Sequence, residues 1–158
     1  MHLRGPRSKL ACMTESNTLA DTLAITETIT RMFVYCDQKR WDDLVTEVFT
    51  DEVDFDGGFG GGVSIRPAKD IAADWKAGLD SLDAVHHQSG NHLIDIHGDE
   101  ATAHADSIAV HVNNSAANGK TRTFIGSYAL AARRTAAGWR ISKFHYLLKV
   151  IEGNADLT

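Results

Sequence analysis

Histidine is the side chain suited to moving a proton near neutral pH, and this 158-residue chain carries eight of them. Two, His87 and His111, occupy a stretch that reads as a pair of strands, residues 85–112, VHHQSGNHLIDIHGDEATAHADSIAVHV. His97, Gly98 and Asp99 form its turn, since glycine and aspartate both tolerate a left-handed backbone. On the second arm Ala101, Ala103, Ala105, Ser107, Ala109 and His111 share one face at a period of two. A face that small cannot fill a core alone, so either a helix packs close to it or it walls a cavity. A three-residue loop would pair Ile96 with Glu100. His87, Ser89, Asn91 and Leu93 would then look the same way as Ala105, Ser107, Ala109 and His111. A two-residue loop would put the two histidines on opposite faces. The three-residue loop is the expectation, with His86 pointing away from His87.

Other residues offer weaker chemistry. Asp54 and Asp56 flank Phe55 and share a strand face, where either could act as a base or merely meet water. Tyr35, Tyr128 and Tyr146 could each bring a phenol to a pocket. A metal site could draw on Asp37, His87 and His111, but no H-x-x-x-H on a helix and no C-x-x-C supports it, and none is expected. The glycine run at 57–62 lacks the GK[ST] ending of a phosphate loop. It is either a flexible connector or a mobile flap anchored by Phe59. Cys12 and Cys36 make no disulfide framework, which fits a reduced, cytoplasmic protein. Cys36 reads as a packing thiol more readily than as a nucleophile.

These residues need a scaffold. Ile25, Ile29, Met32, Phe33 and Cys36 make the stripe of an amphipathic helix over about 18–35. Trp41, Leu44, Val45, Val48 and Phe49 make a second, and Val53 and Phe55 a short strand. Pro67 opens a third helix, about 68–82, with Ile71, Trp75 and Leu79 on one side. Four long strands follow, at about 86–96, 100–112, 121–133 and 139–151. Residues 1–17 read as a disordered head and 18–158 as one domain. The net charge of −5 leaves no basic stripe for nucleic acid or an anionic membrane, and no apolar run is long enough to span a bilayer.

Helices followed by an antiparallel meander make an α+β fold. The segments CDQKRWDDLVTEVFTDEVDFD, HHQSGNHLIDIHGDEATAHA and GSYALAARRTAAGWRISKF resemble the SnoaL-like branch of the nuclear transport factor 2-like superfamily. That resemblance implies a cone in which three helices pack inside a strongly curved, mainly antiparallel sheet. It further implies that Asp37, in the D-x-x-x-W-D position, pairs with His87, in the H-x-x-x-N position; read from its neighbours alone, Asp37 is also a candidate N-cap for the second helix. The carboxylate would fix the tautomer of the ring and leave its other nitrogen as a base. His111 matches a second histidine of the scytalone dehydratase pattern, a proton donor to a leaving group, and Tyr128 a pocket-lining position. Cys36 and Phe55 stand where that pattern has tyrosines.

The expected function is thus a lyase or isomerase, working without a cofactor on a small, largely apolar molecule. Tyr35, Phe55, Phe59, Trp75, Tyr128 and Tyr146 are the expected substrate contacts. The alternatives are a polyketide cyclase or ketosteroid-isomerase-like enzyme with Asp54 or Asp56 as base, and a non-catalytic binder of an apolar ligand. The outward face, with Thr102, His104, Ile108, Val110 and Val112, is expected to form a homodimer or homotrimer contact.

Overall fold

The structure, a computed structural model, describes residues 9–157, with side chains from residue 18 onward. The first helix, α1, spans Lys9–Asp37. Residues 9–17, expected to be an unstructured head, are thus its first turns, while residues 1–8 lie outside the described part. Ile25, Ile29, Met32, Phe33 and Cys36 are buried along one side of α1, as their spacing predicts. The second helix is shorter than its apolar stripe implies. α2 covers Trp41–Asp43 and widens into a π-helical turn over Leu44–Val48. β1 then starts at Phe49 and ends at Asp56. The stripe was a sound guide to burial, since Leu44 and Val48 are fully enclosed. It misjudged the element because Thr50 and Val53 favour an extended chain.

A short strand that the sequence reading missed, β2 (Ser64–Pro67), returns along β1 after the glycine run. Pro67 caps α3, Ala68–Leu79. The long strands are β3 (Ala84–His97), β4 (Glu100–Val112), β5 (Thr121–Thr135) and β6 (Gly138–Gly153). Together they form one six-stranded sheet, β2-β1-β6-β5-β4-β3. Only β1 and β6 run parallel. Irregularities in register fall in β3, between β5 and β6, and between β1 and β6. Each bends and twists its strand, so the sheet curls around α1, whose side chains meet β3 and β6. The alanines of β4 are what make room: Ala101, Ala103, Ala105 and Ala109 are all buried.

The β3–β4 hairpin reaches the expected result by another route. His97 pairs with Glu100, so the turn has two residues, Gly98 and Asp99. Alone, that would turn His87 away from His111. A bulge intervenes, because Gly90 pairs with Asp106 but Leu93 with His104. Two residues, Asn91 and His92, therefore stand opposite one, and Asn91 takes the left-handed backbone at φ 53°. Asparagine is among the few residues that do so at low cost. Beyond the bulge His87 pairs with Ala109 and Val85 with His111, restoring the shared face. Asn91 and Leu93, expected inside, face out. His92, Ile94 and Ile96 take the inner side.

The curl also depends on a close approach at Gly126, on the inner face of β5. A Cβ there would run into the ring of Tyr146. Gly126→Ala should therefore destabilise the fold by about 1–3 kcal/mol, the usual range for overpacking, and push Tyr146 toward the cavity. Thermal unfolding of the variant checks this.

Candidate active site

Asp37 is the last residue of α1, and the chain turns sharply after it through Lys39 at φ 57°. Its carboxylate does not cap the second helix, whose N-cap is Arg40 with no side-chain cap bond. Instead it reaches β3. The backbone N–H of His87 donates to both of its oxygens, at 3.0 and 3.1 Å. The ring Nδ1 of His87 lies 2.7 Å from Oδ1. A carboxylate can only accept, so Nδ1 carries the proton and Nε2 keeps its lone pair. That Nε2 has no partner among the described residues. His86 follows the predicted parity: it is exposed, its Nδ1 3.6 Å from the same carboxylate.

His87 opens onto a cavity of about 510 Å³, a size that suits a small organic molecule. Its walls are chiefly aromatic. Phe33 packs 5.5 Å from the His87 ring, Phe55 stacks on Phe144, and Tyr128 lies 4.7 Å from Tyr146. Trp75, from α3, meets Phe144 at 5.3 Å. Phe59 reaches over from the glycine run and leans on Phe124 and Tyr146 while remaining largely exposed. Gly58 allows this, since at φ 78° it lies against the backbone carbonyl of Tyr146. Burial raises the phenols of Tyr128 and Tyr146 above their ordinary values, so both stay neutral. Burial, reinforced by Asp37, likewise pushes the Cys36 thiol up, which makes it a wall residue and not a nucleophile.

His111 stands 6.0 Å from His87, ring centre to ring centre. Directly opposite it on β5 is Arg122, whose Nε donates to His111 Nδ1 at 3.0 Å. Desolvation, the Arg122 charge and the nearby His87 together lower the His111 pKa to about 4, against a smaller pull from Asp37. The expected role of His111 as a proton donor does not suit this geometry, because a neutral ring could give up only its Nε2 proton and would become an imidazolate. The stability consequence has a definite sign. The folded ring resists a proton that the unfolded chain accepts, so acid favours unfolding as pH falls from about 6.5 to about 4. The contribution is on the order of 3 kcal/mol over that window and is fully present above it. Urea midpoints at about pH 7 and about pH 4.5 should therefore differ less in His111→Gln than in the parent.

Two expectations fail on placement. Tyr35 does not line the cavity: its hydroxyl donates to Glu47 at 2.6 Å and Arg40 covers its ring. Two residues beyond Phe33, it faces another side of α1. Asp54 and Asp56 lie on the convex side of the sheet, opposite buried Phe55. Asp54 pairs with His145 at 2.9 Å, and Asp56 accepts from the Gly58 N–H. Neither can serve the cavity as a base. Arg122 was missed, although strands ending at Val112 and beginning at Thr121 already place it across from His111. Among the described residues no three ligating side chains converge as a metal site would require, and no helix is long and apolar enough to cross a membrane.

Residues 17–145 match the SnoaL-like domain family. The chain belongs to that family, and its fold is the nuclear transport factor 2-like cone. Among solved structures it is similar to the Kfla4162 protein from Kribbella flavida, at 32% identity and a TM-score of 0.82, over 89% of this chain and 97% of that one. It also shares its fold with a proposed scytalone dehydratase from Novosphingobium aromaticivorans, at 14% identity and a TM-score of 0.75, over 89% and 91% of the two chains. A third is hexachlorocyclohexane dehydrochlorinase LinA-type3 from Novosphingobium barchaimii, at 15% identity and a TM-score of 0.73, over 89% and 94%. No curated protein matches the chain by sequence.

Proposed function

We propose that this protein is a cofactor-independent lyase or isomerase in which His87 takes a proton from carbon and Asp37 orients it. The observation that carries the reading is the 2.7 Å contact between His87 Nδ1 and Asp37 at the wall of the aromatic cavity. Asp37 holds the ring in the tautomer that presents a free Nε2 and stabilises the imidazolium once a proton arrives. The aromatic walls exclude water and favour a small, largely apolar substrate. Elimination of water or halide, the activity in the names of two structural neighbours, is one outcome of such a step, and a double-bond shift is the other.

A base that removes protons from carbon leaves a mark whatever the final product is. In D₂O the enzyme should introduce deuterium next to an activating group, readable by mass spectrometry across a panel of small carbonyl and halogenated compounds. Uptake catalysed by the parent and absent in His87→Gln supports the base. Uptake equal in both removes it and leaves a binding protein for an apolar ligand.

The convex face is where we place self-association. Ile108 pairs across the ladder with Ile125 and Ile125 with Val150, and Leu93 and Leu147 are exposed nearby. A second copy of the chain would cover this strip. Light scattering that finds only monomer across micromolar concentrations contradicts it.

A further inference from the structure

We propose that His111 and Arg122 form an oxyanion-binding subsite, and that the substrate is a carbonyl compound whose oxygen gains charge as the adjacent carbon loses its proton. The inference rests on His87 as base and names the substrate class that base would serve.

Arg122 decides the state of His111. A guanidinium has donors and no acceptor, and it keeps its charge. Its Nε hydrogen bond to Nδ1 therefore requires a lone pair there, which puts the His111 proton on Nε2. That Nε2 is buried and has no partner among the described residues, on a side chain only 6% exposed in the cavity wall. Buried donors are seldom left unpaired, so an orphan at the edge of a cavity marks where a ligand acceptor belongs. Arg122 is itself underused. Nη1 donates to the Ala155 carbonyl at 3.0 Å, and among the described residues Nη2 has no hydrogen-bond partner and no carboxylate lies within ion-pair distance. Asp156, in the C-terminal segment, acts on it only through its charge. The other arginine at the cavity, Arg66, is already paired with Asp74 at 2.8 Å.

The spacing suits one functional group. The base must lie about 3–3.5 Å from the carbon it deprotonates, and a donor about 2.7–3.1 Å from the oxygen that becomes anionic. Carbon and oxygen of a Cα–C=O unit are about 2.4 Å apart from standard bond lengths. Such a unit bridges two rings whose centres are 6.0 Å apart. His87 Nε2 takes the proton, the C–H pair becomes the new C=C bond, and the carbonyl pair moves onto oxygen. His111 Nε2–H donates to that oxygen without transferring its proton, and Arg122 supplies positive charge behind it. The electrons then return, and His87 delivers its proton either to the γ-carbon or to a hydroxide leaving from the β-carbon. Asp37 and Arg122 carry opposite charges, so the resting site favours an uncharged substrate.

4-Nitrophenol tests this without chemistry at carbon, because its phenolate is coloured and its phenol is not. Bound to the parent protein, it should ionise at a pH lower by about one unit or more, which is about tenfold tighter binding of the anion. His111→Phe and Arg122→Met should each lose that preference, and His87→Asn should keep it. A failed base and a failed donor site thus give different patterns. Equal affinity for phenol and phenolate, no phenolate binding by the parent at millimolar concentration, or a preference that survives His111→Phe overturns the proposal.

Discussion

His87→Gln should reduce deuterium uptake at carbon by about 10²–10⁴, the usual worth of a positioned general base, while melting close to the parent. Glutamine fills much of the same space and can still hydrogen-bond to Asp37, so the fold has little reason to suffer. Its amide has no basic lone pair to match the imidazole. The loss should appear in kcat more than in KM, since the aromatic walls that hold the ligand are untouched. Asp37→Asn should follow with a loss of up to about 10⁴, since an amide that donates to Nδ1 holds the ring in the wrong tautomer. The asparagine can accept from the His87 N–H but no longer carries the charge that steadies an imidazolium.

Asn91→Val should strip most of the activity, although Asn91 touches neither the cavity nor His87. A β-branched residue resists the left-handed backbone that the bulge requires, and the strand, its length unchanged, would straighten. Its bulge shifts the alternation of β3 by one residue. Without it, the unchanged turn at Gly98-Asp99 would carry the inner side of Ile94 and Ile96 through to the wrong parity. His87 would face solvent and exposed His86 would turn inward. Val85 would leave the interior as well, so the valine variant should also lower the melting temperature by several degrees, whereas deleting Asn91 takes the extra residue out with the bulge and leaves His87 opposite Ala109. Asn91→Gly keeps the extra residue and accepts the left-handed backbone, and it should retain activity. If the valine and glycine variants behave alike, the bulge is not what sets the face.

That hairpin marks how far sequence can be read here. Period-two alternation exposed the alanine face of β4 and the burial of His111, because side-chain direction in an uninterrupted strand is simple geometry. It could not reveal the bulge, whose cost is set by the curl of the whole sheet and whose only local sign is one asparagine. The inferred loop was wrong by one residue, the bulge compensated by one, and His87 ended where expected for a reason the residues did not display. The apolar stripe of 41–49 told which side was buried but not that the helix would loosen and yield to a strand at Phe49. Asp37 was legible through resemblance alone. Nothing in its neighbourhood distinguishes a cap from a partner for a histidine fifty positions away. Arg122 was within reach of strand pairing, yet an arginine at a strand end reads as a surface charge until its opposite number is known.

The most direct test of the central claim is the ring of His87 in a protein labelled with ¹⁵N at histidine. The Asp37 contact requires a proton on Nδ1, its resonance shifted downfield by the carboxylate, and a bare Nε2 at neutral pH. In Asp37→Asn that downfield proton should disappear. A His87 ring protonated on Nε2 in the parent, or one indifferent to the loss of the carboxylate, would contradict the account.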